Sequence, residues 1–341
     1  MPLKAPISFS PDGSNHRGSA DAGKASKIAR IGMCFSRPFE GSDPLSHIGK
    51  KLPVYIRLLK LCQQKGWQVF VLTRRTYQGK GIFNGAWHFD KNKFSRWEKP
   101  VKIDLVYDRV AGMKFPPEVD SGVAVVNRRD FKFLCYNKWL AYQKIGQFMP
   151  KTFWVGGKEG LTSALSQIKT DWMVLKPHNG MKGIGVYVGP KEKAMSFKFS
   201  EKKIYSRYIA QEFVDTSGGI PGIVRGKHDL RVAVANDKAI WSHVRTPPPG
   251  SFKANVAQGG SIKELDCSKL PASVKKITFQ IAEKFDQEFD NPIYSIDFGM
   301  SKNGPLIFEL NDQIGFPLWE MRARDTFLQE HIKNFEEKLN S

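Results

Sequence analysis

The chain has 341 residues, 41% of them apolar and 12% aromatic, enough to build one large or several ordinary hydrophobic cores. Its 53 Lys+Arg against 33 Asp+Glu give a formal net charge of +20, a field that suits a nucleotide, an acidic peptide or a nucleic acid and does not choose among them. No run approaches the ~20 apolar residues of a membrane helix and no secretory apolar core opens the chain, so a cytoplasmic protein without a membrane partner is expected.

Residues 1–27 are rich in Ser, Gly, Pro and Lys, and the composition predicts a disordered tail. A small N-terminal α/β domain is expected over 28–126: a strand from Ile28 to Phe35, an amphipathic helix from Val54 to Gln64, and strands at Gln68–Thr73, Val101–Tyr107 and Val123–Val126. Within it Arg74 and Arg75, and the cluster Lys91, Lys93, Arg96, Lys99 and Lys102, are interleaved with Phe94 and Trp97. A solvated basic face and an RNA-binding face both explain that pattern. Cys34, Cys62, Cys135 and Cys267 are widely spaced without a CxxC pair, which predicts buried free thiols rather than zinc or redox chemistry.

From Asn137 a helix is expected to run to about Gln147, stopped by Pro150, followed by a strand at Thr152–Val155 and a helix at Leu161–Ile168. Trp172 to Tyr187 reads as strand, glycine-rich loop, strand, with Ile184–Tyr187 as the returning strand. Further strands are expected at Ile209–Val214, Asp229–Ala235 and Ala239–Val244. A helix from Val274 to Phe289 carries Val274, Ile277, Ile281, Ala282, Phe285 and Phe289 on one stripe.

The last two strands, Ile293–Phe298 and Pro305–Asn311, flank a Ser301-Lys302-Asn303-Gly304 turn, whose Asn-Gly is a strong hairpin signal. Side-chain alternation places Tyr294, Ile296 and Phe298 on one face, with Leu306, Phe308 and Leu310 sharing a face of the partner strand. Asp297, Glu309 and Asn311 then lie opposite that apolar set. Two carboxylates facing each other across a ladder repel unless a cation lies between them, and three oxygen donors without His or thiolate suit Mg2+ better than zinc. The wet face of an antiparallel sheet is the plainer alternative.

Lys176 ends a strand and leads into a loop containing Gly180, Gly183 and Gly185, which allows backbone N–H groups to approach phosphate oxygens. No Gly-Lys-Ser/Thr follows, so this is not a Walker loop, and an ordinary glycine-rich hairpin shares the pattern. Lys138 opens the helix after Asn137 and is either a second phosphate cation or a surface lysine. Gln211, Glu212 and Val214 lie on a strand leading into a hinge, with Asp229 and Arg231 beyond it. Arg245 and Asn255 flank an arch containing Pro247, Pro248 and Pro249.

The order of these pieces, Lys138, Lys176 with its glycine loop, Gln211-Glu212-Phe213-Val214, Asp229-x-Arg231, Arg245, Asn255, Asp297 and Glu309-x-Asn311, resembles the ATP-grasp superfamily. It is most similar to the branch of ribosomal-protein glutamate ligases and glutathione synthetase-like carboxylate–amine ligases. The resemblance covers about Asn127 to Asn311. It implies an α/β fold with an ATP-grasp domain over 127–338, its two α+β subdomains at about 127–214 and 215–338 clasping ATP. Lys138 and Lys176 would contact phosphates under a lid of Gly180, Gly183 and Gly185. Gln211 would meet the adenine amino group, Glu212 and Val214 would offer backbone contacts, and Asp229 would bind ribose. Asp297, Glu309 and Asn311 would hold two Mg2+ ions, with Mn2+ as an alternative. Arg231, Arg245 and Asn255 would face the γ-phosphate and the substrate carboxylate.

The activity implied is ligation of an amino-acid or peptide carboxylate to an amine through an acyl phosphate, releasing ADP and phosphate. An acidic or otherwise anionic macromolecule is a further expected partner for the basic surface, and a monomer and a homo-oligomer both stay open. Two other readings stand beside it: a non-catalytic ATP-binding regulatory or scaffold protein, and a nucleic-acid-binding protein. The chain departs from the family pattern at Pro247–Pro249 and in Asp312-Gln313-Ile314-Gly315-Phe316-Pro317, both where substrate is expected.

Overall fold

Strands β1 (Arg30–Phe35) and β2 (Gln68–Thr73) are buried almost throughout and pair in parallel, as expected for strands covered on both faces. A computed structural model of the protein describes residues 28–37, 43–115, 122–180, 183–199, 207–252 and 259–341, and the tail expected over 1–27 lies outside them. Ile31, Met33, Val69 and Val71 enter one core, and Cys34, Phe70 and Leu72 enter a second on the opposite face. Helix α1 (Leu52–Gln64) joins the two strands, with Pro53 in its first turn and Val54, Leu58, Leu59 and Cys62 turned into the first core.

The sheet continues through β3 (Tyr77–Gly79), β4 (Ile82–Asp90), β5 (Lys93–Lys102), β6 (Leu105–Asp108) and β7 (Ala124–Val126), in the order β3-β4-β2-β1-β6-β7 with β5 on the outer side of β4. The single strand expected at Val101–Tyr107 is therefore two strands. β5 pairs antiparallel with β4 at the sheet edge, whereas β6 pairs in parallel with β1, so the chain crosses the sheet between them. Asp104 anchors the crossing, its Oδ2 accepting from the Arg30 N–H at 2.9 Å. The basic cluster falls largely on β5, and Arg96 lies over the Trp87 ring with its guanidinium carbon 5.0 Å from the centroid.

Helices α2 (Arg129–Tyr136) and α3 (Lys138–Ile145) are separated by Asn137, whose Oδ1 caps α3 by accepting from the N–H groups of Trp139 and Leu140 at 3.1 and 3.3 Å. Next come β8 (Thr152–Val155), α4 (Lys158–Gln167), β9 (Trp172–Pro177), β10 (Tyr187–Pro190) and β11 (Tyr208–Glu212), which give a four-stranded antiparallel sheet in the order β10-β9-β11-β8. The return strand begins at Tyr187 rather than Ile184, because pairing with β9 starts only at Tyr187 opposite Leu175.

The third sheet is antiparallel, in the order β14-β13-β12-β15-β16, from β12 (Asp229–Ala235), β13 (Lys238–Thr246), β14 (Ser261–Leu265), β15 (Tyr294–Ser301) and β16 (Gly304–Asn311). Its inner face packs Leu230, Val232, Ile296 and Phe298 against α2 and α3 and against α5 (Ala272–Phe289). Helix α6 (Arg324–Asn340) then returns to the first sheet, burying Phe327, Leu328, Ile332 and Phe335 against α1 and the strands.

The hairpin of β15 and β16 turns through Lys302-Asn303, as its Asn-Gly signal predicts. Leu306, Phe308 and Leu310 do not share one face: the register shifts between Asp297 and Phe298, so Ile307 and Leu310 enter the core while Phe308 lines the cavity described below. Gly299 makes room for that ring, since a Cβ there would come within 2.0 Å of Phe308 Cζ. Gly299→Ala is therefore expected to destabilise the chain by about 1–3 kcal/mol through overpacking. Urea unfolding checks this, and an unchanged midpoint would show that Phe308 moves freely.

Candidate active site

The four-stranded and five-stranded sheets both line one cavity of ≈ 590 Å³. Lys138, Lys176, Gly180, Gly183, Gln211, Glu212, Val214, Asp229, Arg231, Arg245, Asp297, Glu309 and Asn311, all singled out in the sequence, are among its lining residues. Gly185 is not a lining residue, and Asn255 lies outside the described residues.

The capped start of α3 directs Lys138 into the cavity. Its Nζ donates to the Gly180 carbonyl at 2.6 Å and pairs with Glu309 Oε1 at 2.9 Å, while its own N–H donates to the His178 carbonyl at 2.8 Å. Lys176, at the end of β9, donates from Nζ to the Phe308 carbonyl at 3.2 Å, so it bridges the two sheets. Burial pushes its ammonium down to about 8, helped by the positive charge of Lys138 and opposed by Glu309 and Asp297. Gly183 and Gly185 have φ of +70° and +71°, a backbone conformation open to glycine and strained for other residues.

Gln211 is fixed by its Nε2 donating to Thr152 Oγ1 at 2.9 Å, and Thr152 in turn donates to the Pro150 carbonyl at 2.7 Å. The Glu212 carboxylate is turned to the Lys169 N–H at 3.0 Å, which leaves main-chain atoms as its contribution to the cavity. The sequence marks Thr152 and Phe308 as strand residues without a role at the site, and gives His228 none. The first has no signal apart from its partner, and the second is exposed to the cavity only by the bulge.

On the five-stranded sheet, register places Arg231 opposite Asp297, Asp229 opposite Arg245, and Asp297 opposite Glu309. Arg231 grips Asp297 bidentately, Nε to Oδ1 at 2.6 Å and Nη2 to Oδ2 at 2.7 Å. Arg245 joins Asp229 to the same site, Nε to Asp229 Oδ1 at 2.5 Å and Nη2 to Asp297 Oδ2 at 2.9 Å. Burial acts to raise the Asp297 carboxyl, but Arg231 and Arg245 outweigh it and hold the group well below the carboxylate range. Asp229 is pushed up to about 6 by burial and by the charge of Asp297, with Arg245 opposing. His243, whose ring sits 4.4 Å from that of Trp241, is held neutral: burial and the flanking Arg231 and Arg245 push it down to about 3.

Asp297, Glu309 and Asn311 thus present two carboxylates and an amide from neighbouring strands to one space, a hard-oxygen set that fits Mg2+. Asn311 donates its Nδ2 weakly to Asp297 Oδ2 at 3.4 Å, leaving Oδ1 as its acceptor atom. Among the described residues no group of three or more His, Cys, Asp or Glu could hold a metal, so an ion here draws on the Asn311 amide and on oxygens outside the protein.

A four-stranded sheet carrying the glycine loop, set across one cavity from a five-stranded antiparallel sheet, is the ATP-grasp architecture. The fold is shared with D-alanyl-alanine synthetase A from Vibrio cholerae, at a TM-score of 0.62 and 13% identity over 93% of this chain and 100% of that one. It is shared as well with a RimK domain ATP-grasp protein from Sphaerobacter thermophilus, at a TM-score of 0.54 and 12% identity over 92% and 98%. The model of the RimK-like ATP-grasp domain matches residues 129–332, and the chain belongs to that family. It is similar to a "Probable alpha-L-glutamate ligase" of Haemophilus influenzae, 27% identical over 206 residues. A "Probable alpha-L-glutamate ligase 2" of Hahella chejuensis is 24% identical over 198 residues. The matches span 61% and 59% of the length of those relatives, and 59% and 58% of this chain. No helix among the described residues is long and apolar enough to cross a membrane.

Proposed function

We propose that this chain is an ATP-dependent carboxylate–amine ligase that works through an acyl phosphate and releases ADP and phosphate. The observation that carries the reading is the convergence of Lys138 and Lys176 with Asp297, Glu309 and Asn311 on one cavity between two sheets. The names of the two similar ligases favour L-glutamate as the amino acid joined, and the net charge of +20 suits an acidic acceptor.

In this reading Gly180, Gly183 and Gly185 offer main-chain N–H groups to the triphosphate, and the two lysines offset its charge. Gln211, with Nε2 committed to Thr152, turns Oε1 as an acceptor for the adenine amino group. Glu212 and Val214 offer backbone, and Asp229 faces the ribose. Asp297, Glu309 and Asn311 hold two Mg2+ ions, or Mn2+ in their place, and when bound these supply charge neutralisation at the phosphate oxygens. Arg231 and Arg245, aligned by Asp297 and Asp229, present donors to the γ-phosphate and the substrate carboxylate.

The carboxylate oxygen attacks the γ-phosphorus and ADP leaves. The amine then attacks the acyl carbon, phosphate leaves with the transferred oxygen, and the amine proton goes to solvent. Exclusion of water by the loop protects the acyl phosphate between these steps. We take 28–126 as a companion to a nucleotide-binding unit over 127–338, with its halves meeting near 214–215. The cytoplasm is its proposed location, where its four free cysteines would stay reduced.

Incubation with ATP, Mg2+ and paired amino acids and acidic peptides is expected to release ADP in step with a product lighter than its two substrates by one water. AMP release, or nucleotide binding without turnover on any pair, would overturn the assignment.

A further inference from the structure

Lys51 is the N-cap residue of α1, close enough to the cavity residue Arg231 for that charge to act on it. Its Nζ rests against Gly315: a Cβ built there would come within 2.9 Å of it. Gly315 is not among the positive-φ glycines, so its lack of a side chain serves space rather than backbone conformation. Among the described residues, Lys51 Nζ has no hydrogen-bond or ion-pair partner. Its ammonium is nevertheless largely buried, and it is pulled down by burial and by the charges of Arg109 and Arg231.

The neighbouring cations do not share one state. Arg231 and Arg245 are neutralised by Asp297 and Asp229. Arg109 is fixed by neutral acceptors, donating to the Ile314 carbonyl at 2.8 Å and to the Tyr107 and Tyr55 hydroxyls at 3.3 and 3.4 Å. Its guanidinium also lies 5.5 Å from the centroid of the Phe316 ring, which stacks on Tyr55 at 3.9 Å. The run from Ile314 to Phe316 is thereby pinned to β6 and α1. Lys51 and Arg109 bring two positive charges to it; the Asp312 carboxylate acts on Arg109, and no carboxylate pairs with Lys51 among the described residues. Like charges held together in a partly desolvated place are unfavourable until an anion joins them.

We propose that Lys51 binds a carboxylate of the amino-acid substrate, one that is not phosphorylated, in a subsite closed by Gly315 and the Arg109-anchored loop. The proposal rests on the ligase reading and adds to it a specificity group from the start of α1. The triphosphate is the other oxyanion at hand, but Lys51 is not a lining residue of the cavity that holds Lys138 and Lys176.

The test is calorimetric titration of the full chain, saturated with AMP-PNP and Mg2+, with each proteinogenic amino acid and with inorganic phosphate. An amino acid that binds the wild type is expected to bind Lys51→Met about 10- to 100-fold more weakly, the loss of one charge-assisted hydrogen bond. Gly315→Ala, which displaces Nζ and keeps its charge, is expected to lie between them. AMP-PNP affinity is expected to stay within twofold in both variants. Equal amino-acid affinity for wild type and Lys51→Met would overturn the subsite, as would an AMP-PNP loss matching the amino-acid loss, or a wild type that binds AMP-PNP and no amino acid. A wild type that binds an amino acid through Lys51 but not AMP-PNP would instead sink the ligase reading alone.

Discussion

Asp297→Ala is expected to cost the fold about 3–5 kcal/mol in addition to abolishing ADP formation, because it leaves the Arg231 guanidinium without a carboxylate and Arg245 with Asp229 alone. The Asp297 side chain is only 6% exposed and accepts three short hydrogen bonds, two from Arg231 and one from Arg245. Glu309 makes the informative contrast. Its side chain is 33% exposed, and among the described residues its ion pair is with Lys138 alone. Glu309→Gln should therefore change stability by less than about 1 kcal/mol, the range of partly exposed ion pairs. Its ADP formation should fall by about 100- to 1,000-fold, the loss typical of removing one preorganised group that stabilises transition-state charge. Urea unfolding and a coupled ADP assay on the two variants separate the roles. A Glu309→Gln protein turning over at the wild-type rate would remove that residue from the metal site.

That contrast is invisible in the sequence. The hairpin of β15 and β16 could be read because two local signals agree: an Asn-Gly turn, and alternation of Tyr294, Ile296 and Phe298 into the core. Those signals place Asp297, Glu309 and Asn311 together. They do not reveal that Asp297 is held by Arg231 and Arg245, since that depends on β12 lying between β13 and β15, a choice made by long-range packing. The bulge that swings Phe308 into the cavity has no local marker either, being accommodated by Gly299 on the partner strand.

The basic segment shows a different failure. The hairpin of β4 and β5 turns at Lys91 and Asn92, both with positive φ, and its Phe89–Phe94 pair was available as a cue. The density of lysine around it masks the alternation of the two strands. Helix α6 carried its own signal, with Phe327, Leu328, His331, Ile332 and Phe335 at helical spacing. Its destination, back on the first sheet, follows only from the three-dimensional core. Lys51 and Gly315 are the extreme case: 264 residues apart, neither carries a signal alone, and they meet where Arg109 and the Phe316–Tyr55 stack hold the loop after β16 against α1.

Lys176 offers the second large effect, because stability and function are expected to move in opposite directions there. Burial lowers its ammonium from 10.5 to about 8, and its one direct acceptor is the Phe308 carbonyl. Between pH 8 and pH 10.5 the unfolded chain binds a proton that the folded chain does not, so this residue's contribution makes stability rise with pH across that window. Below it the cost of the buried charge is present in full, about 3 kcal/mol at 1.36 kcal/mol per unit. Lys176→Met, of similar length and without the charge, is accordingly expected to stabilise the protein by about 1–3 kcal/mol at neutral pH in urea unfolding. It should also weaken nucleotide binding by at least tenfold, since a phosphate cation is gone. In the wild type, a bound triphosphate would draw the ammonium back toward its ordinary value. Nucleotide binding near pH 8.5 should then take up a fraction of a proton, seen as a calorimetric heat that varies with the ionisation enthalpy of the buffer. A heat independent of buffer, or a Lys176→Met protein that loses stability while binding nucleotide normally, would show that Lys176 is a structural bridge between the sheets and not a phosphate ligand.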